Sequence, residues 1–235
     1  MIDLRALALG AAMAVPMLFG GSIAEAAIVQ GSSYGTFSGI NSCNGDNCRI
    51  TSGSEGPNTV LEWGYTTGFF GSPGSTLTAM DRSWNVMTDA NDVILAELVW
   101  VNRATSSSVT PDDFTVTYSL TINFTQPNAT ADTEAFSLEI INSVNPPGDR
   151  LYGLTLTDLS NLSFNLNGVQ ISDLKYSLAS GSQGSFNGNY WYNPENKTSK
   201  MYITADFKAV PEPASLALLG AGLAGLGFVR RRKAA

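Results

Sequence analysis

No histidine occurs among the 235 residues. That absence removes every catalytic arrangement built on an imidazole, the Ser-His-Asp triad and the Cys-His pair included. It also leaves any zinc site dependent on carboxylates. Positive charge is scarce as well. Between residues 27 and 209, eight Lys/Arg face seventeen Asp/Glu, a formal net charge of −9. So acidic a body does not fit nucleic acid, whose phosphates require a basic surface, nor an anionic lipid surface. No internal repeat is visible, and nothing resembles a second domain.

What is present begins with MIDLRALALGAAMAVPMLFGGSIAEAAIVQG. Arg5 and the amino terminus form a positive n-region, Ala6–Gly21 is apolar, and Ala24-Glu25-Ala26 fits a small-x-small cleavage site. Residues 1–26 therefore read as a signal peptide cut by signal peptidase, with an uncleaved anchor as the alternative. In an exported chain the only two cysteines, Cys43 and Cys48 of CNGDNC, are expected to form a disulfide across an Asn/Gly/Asp turn. A metal site there would need further ligands.

The body, residues 27–209, predicts an all-β fold, a single antiparallel β-sandwich or jelly roll. In FTVTYSLTINF the residues Phe114, Val116, Tyr118, Leu120, Ile122 and Phe124 alternate with hydroxyl and amide side chains. This puts the apolar set on one sheet face, and Pro111 and Pro127 bound the segment. AFSLEIIN, MYITADF, TVLEWGY, VILAELVWVN, LYGLTLT, LSFNLNG and VQISDLKYSL also read as strands. Short strands between Gly/Pro/Asn turns point to packed antiparallel sheets.

Residues 210–235, VPEPASLALLGAGLAGLGFVRRRKAA, change character. Ala214–Val229 carries no charge; as a helix it spans roughly 24 Å at ~1.5 Å per residue, short of the ~30 Å hydrocarbon core. Pro211-Glu212-Pro213 resists helix formation ahead of it. Arg230, Arg231, Arg232 and Lys233 favour a cytoplasmic end. A permanent membrane anchor is the plain reading.

This tail closely resembles the PEP-CTERM sorting signal of Gram-negative bacteria, with the Pro-Glu-Pro triplet, the short Gly/Ala/Leu span and the arginine cluster in order. The resemblance implies processing by an exosortase, a membrane cysteine transpeptidase, after transient anchoring in the inner membrane through this transmembrane helix. It also implies a biofilm- or exopolysaccharide-producing envelope as the destination. From Tyr34 to Phe207 the body resembles the choice-of-anchor K domain, through YGTFSGI, GPNTVLEWGY, STLTAM, LVWVNRAT, FTVTYSLTINFTQP, FSLEIINSVN and MYITADF. Pro57 and Glu62 depart from its pattern, and CNGDNC stands as an insertion. That family carries no established activity, so it supplies no catalytic residues.

The residues themselves nominate little chemistry, and no cofactor or resident metal is expected. Lys175, Lys197, Lys200 and Lys208 sit in no nucleophile motif. A glycosidase pair would have to come from Glu62, Glu97, Asp112, Asp113, Glu134 or Glu139, for which strand-edge solubility is the ordinary explanation. Asp89, Asn91 and Asp92, like Asn44, Asp46 and Asn47, offer oxygen ligands, but neither set matches a calcium loop. Tyr190, Trp191 and Tyr192 offer an aromatic platform for sugar rings, a half-buried strand end being the alternative. Trp63, Trp84 and Trp100 are expected in the core. The function expected is a non-enzymatic surface or matrix component; an exopolysaccharide-binding module is the alternative, and a secreted hydrolase the third reading.

Overall fold

The computed structural model describes residues 28–43, 47–52, 59–66, 71–104, 113–143, 147–154, 159–164, 166 and 168–210. The signal-peptide segment 1–26, the Pro211–Pro213 triplet, the apolar run and Arg230–Lys233 lie outside them. So do Asn44, Asp46 and Asp112.

Among the described residues the chain forms thirteen strands. They are β1 (Ile28–Asn41), β2 (Cys48–Ser52), β3 (Thr59–Trp63), β4 (Ser75–Met80), β5 (Arg82–Met87), β6 (Val93–Asn102) and β7 (Phe114–Gln126). After these come β8 (Thr130–Ile141), β9 (Asp149–Tyr152), β10 (Val169–Leu178), β11 (Ser185–Phe186), β12 (Trp191–Asn193) and β13 (Lys197–Ala209). A seven-stranded sheet runs β11-β12-β9-β8-β7-β1-β5 and a six-stranded sheet β10-β13-β6-β4-β3-β2, with antiparallel pairing throughout. The fold is the expected all-β antiparallel sandwich. No helix among the described residues is long and apolar enough to cross a membrane.

Alternation on β7 does what its pattern requires. Phe114, Val116, Tyr118, Leu120, Ile122 and Phe124 are all buried, while on the other face Thr121 shares a hydroxyl hydrogen bond with Thr133 of β8 at 2.8 Å. Met201, Ile203, Ala205 and Phe207 of β13 close the core from the opposite sheet. Each such side chain withdrawn from water stabilises the fold by about 1.5–3 kcal/mol if it is large.

Rings gather at both ends of β7. At one end Trp63 packs on Phe114 and Trp100 (centroids 5.9 and 6.1 Å), and Trp100 meets Trp191 edge-on at 5.2 Å. At the other, Trp84, Phe124 and Phe207 form a mutual edge-to-face triangle. The three tryptophans assigned to the core from sequence are there.

One strand, β1, carries no apolar alternation to read. β1 turns Gly31, Ser33 and Gly35 inward; at the two glycines aromatic rings from β7 and β5 occupy the space a side chain would need. A Cβ on Gly31 would stand 3.0 Å from Phe124 and from Trp84, and one on Gly35 would overlap the Tyr118 ring. LSFNLNG is the converse case and a correction. Its described residues form no strand; Leu162 N–H donates to Leu159 O in a turn, and Leu159, Leu162, Phe164 and Leu166 pack on the core as irregular chain. Alternation there records inward packing without a neighbouring strand to bond.

Candidate functional site

Cys43 and Cys48 are bonded, with Cα atoms 6.1 Å apart. The bridge ties the end of β1, in the larger sheet, to the start of β2, in the smaller one.

Among the described residues the nominated carboxylates do not form a facing pair. Glu62 is held by Arg49, with contacts of 2.6 and 2.7 Å, and Glu97 by Arg82 and Lys200. Glu134 and Glu139 pair across β7–β8 with Leu120 and Thr115, and Asp113 is exposed. Asp92 pairs with Lys175 at 2.6 Å, and its N–H donates to Asp206. Hydrogen bonds to Asp92 and Asp173 push the Lys175 ammonium up from its ordinary value, so it is no base for a serine.

The aromatic triplet divides. Strand alternation turns Trp191 fully inward, where its indole N–H donates to Ser199 Oγ at 2.8 Å. Trp191 is therefore a core residue, not a sugar-contacting one. Tyr190 and Tyr192 stay half-buried. Tyr190 packs on Tyr152 (centroids 5.3 Å) with Arg150 over its ring, and the Tyr192 hydroxyl donates to Pro147 O.

Inward from this patch lies a polar cluster at the Trp63–Trp100–Trp191 end of the core. Asp149 opens β9 and Asn193 ends β12, directly opposed in register, so their side chains leave the sheet on the same face about 5 Å apart. Both are wholly withdrawn from solvent. Ser143 closes the loop before β9: its N–H donates to Asp149 Oδ1 at 2.9 Å, and its hydroxyl to Gly148 O at 2.8 Å. The Asn142 amide stands 3.1 Å from both Asp149 oxygens.

Asn193 bridges the sheets. Its Nδ2 donates to Trp100 O on β6 at 3.0 Å and to Lys197 O, and its own carbonyl accepts from Asn102 Nδ2 at 2.7 Å. Its Oδ1 is buried and has no hydrogen-bond partner among the described residues. In the turn between β12 and β13, both carboxyl oxygens of Glu195 are likewise buried and unpartnered. Gly148 makes this approach feasible. With φ at +122°, a Cβ there would stand 2.7 Å from Asn193 O and 2.8 Å from Pro194 Cα.

Burial pushes the Asp149 carboxyl up to about 6. The Ser143 donors hold it back in part, as does the Trp63 indole N–H, which faces it without completing a hydrogen bond. Glu195 is pushed up to about 7, by loss of water first and by the charge of Asp149 second. Among the described residues no basic side chain contributes to either shift. A glycosidase needs a sugar between its carboxyls, and Asp149 exposes no surface to one. Such a pair can hold a proton or a cation. No set of three Cys, Asp or Glu side chains converges on a metal position among the described residues.

No sequence pattern marks these residues. Asp149 and Glu195 sit in ordinary-looking turns, NPPGD and NPEN, and nothing local says that the two turns meet. No curated protein matches the chain, nor does any solved structure. Residues 209–233 match the family model described as the PEP-CTERM protein-sorting motif, beginning where β13 ends. The chain thus carries the PEP-CTERM motif of exported proteins that an exosortase sorts to the cell envelope.

Proposed function

We propose that the chain is a non-enzymatic component of the cell surface or extracellular matrix of a Gram-negative, biofilm-forming cell. In this reading signal peptidase cuts after Ala26. The apolar tail then holds the folded sandwich at the inner membrane, and an exosortase cuts near Pro211–Pro213 to release it. The observation that carries the proposal is the sorting motif at 209–233, which follows the last strand without a spacer domain. The Cys43–Cys48 bridge suits an oxidising compartment. The sealed Asp149 and the ion-paired Glu62 and Glu97 favour a structural role over hydrolysis.

Intact-mass measurement of protein recovered from the cell surface tests this reading. The mature chain is expected to lack Arg230–Lys233, and replacing Pro211, Glu212 and Pro213 together by alanine should retain them. Surface protein carrying the full basic end would overturn the processing step.

A second reading, exopolysaccharide binding on a choice-of-anchor K-like domain, draws on the tilted Tyr152–Tyr190 pair with Arg150 over the Tyr190 ring. Aromatic faces of this kind suit sugar rings. Glycan-array binding lost in Tyr190→Ala would favour it; a silent array would remove it.

A further inference from the structure

We propose that Asp149, Glu195, Asn193 and Asn142 form a site for one hard divalent cation of calcium size. The two carboxylates are not the whole case. Asn193 is fully buried and leaves Oδ1 unpartnered on the face it shares with Asp149, and its amide is locked in that orientation by Trp100 O and Lys197 O. A buried acceptor without a partner is costly, and among the described residues three such oxygens, Asn193 Oδ1 and both of Glu195, occur in one strand-and-turn segment. With its nitrogen inward, Asn142 donates to both Asp149 oxygens; turned the other way, its Oδ1 faces the same two oxygens. The first arrangement satisfies both ends of the amide, so Asn142 enters the site as a donor that orients the Asp149 carboxylate.

The donor set selects the ion. Carboxylate and amide oxygens suit calcium, which accepts six to eight oxygen ligands in flexible geometry at roughly 2.3–2.6 Å. With no histidine in the chain and both cysteines in a disulfide, nothing here favours a softer metal. Among the described residues no basic side chain neutralises the pair, so a bound cation would supply the missing charge. It would also clasp the β12–β13 turn to the β8–β9 loop. Extracellular modules of this kind bind with a Kd of about 10⁻⁴–10⁻³ M.

The test uses the exported protein purified from cells, stripped with chelator and titrated with CaCl2 alone. One calcium per chain and a Tm that climbs with calcium concentration are expected. Glu195→Gln, with an unchanged circular dichroism spectrum, should weaken binding about tenfold or more. In the unmodified protein, Tb3+ luminescence sensitised through Trp63 and displaced by calcium should report the same site even if the variant fails to fold. Neither heat nor a Tm shift up to about 10 mM calcium, no sensitised luminescence, or undiminished binding in a folded Glu195→Gln protein would each overturn the proposal.

Discussion

The indole N–H of Trp191 donates to Ser199 Oγ at 2.8 Å, with both side chains wholly removed from solvent. This bond links β12 in the larger sheet to β13 in the smaller one, beside the edge-on contact of Trp191 with Trp100. Trp191→Ala should therefore lower stability by about 3–5 kcal/mol in urea unfolding. Trp191→Phe should cost less, about 1–3 kcal/mol, chiefly by leaving Ser199 without its donor. A stable Trp191→Ala protein would contradict the inward placement.

Loss of the Cys43–Cys48 bridge should be tolerated. The bridged cysteines are only five positions apart in sequence, and closing so short a loop removes little freedom from the unfolded chain. Replacing both cysteines by serine should cost about 2 kcal/mol, or roughly 4–8 °C in Tm for a domain of this size. Scanning calorimetry with and without reductant checks this; failure to fold would mean that the bridge does more than shorten the unfolded chain.

Gly148→Ala tests the approach of the β12–β13 turn to Asp149. At φ +122° a side chain is strained whatever the space, and here it also meets Asn193 O and Pro194 Cα. A loss of about 1–3 kcal/mol is expected. Unchanged thermal stability would show that the two turns do not press together.

Stability of the metal-free protein should rise on mild acidification. The carboxyls of Asp149 and Glu195 are raised to about 6 and about 7, above their unfolded values near 3.9 and 4.3. The folded state therefore binds these protons more tightly than the unfolded state, and stability increases as pH falls from about 7.5 to about 4, levelling once the unfolded carboxyls are protonated as well. Asp149 should contribute roughly 2–3 kcal/mol. Glu195, in a turn with more solvent around it, should add less. Urea unfolding across this window, in chelator, should show the rise, and Asp149→Asn should flatten it. A decline in stability over the same window would refute the assignment.

Strands whose inward residues are large were readable because period-two burial writes itself into the sequence, as in β7 and in Met201–Phe207 of β13. β1 escaped because its partners' rings fill the inward space opposite Gly31 and Gly35, leaving no apolar residues to count. The LSFNLNG segment was misread for the opposite reason: an apolar residue can face a core from irregular chain as well as from a sheet. The Tyr190–Tyr192 triplet was visible as aromatic, but which ring faces out depends on the register of β12 with β9.

Sequence by itself determined the ends and the chemistry available. The sorting motif works as a linear string of Pro-Glu-Pro, apolar span and arginines, so it needs no folding to be recognised, and an absent histidine excludes imidazole chemistry whatever the fold. Tertiary structure alone decided that Asp149 opposes Asn193 and lies near enough for Glu195 to feel its charge. Their meeting depends on β9 pairing with β12 and on a glycine that lets two turns close, and contacts between distant segments leave no local pattern in a single chain.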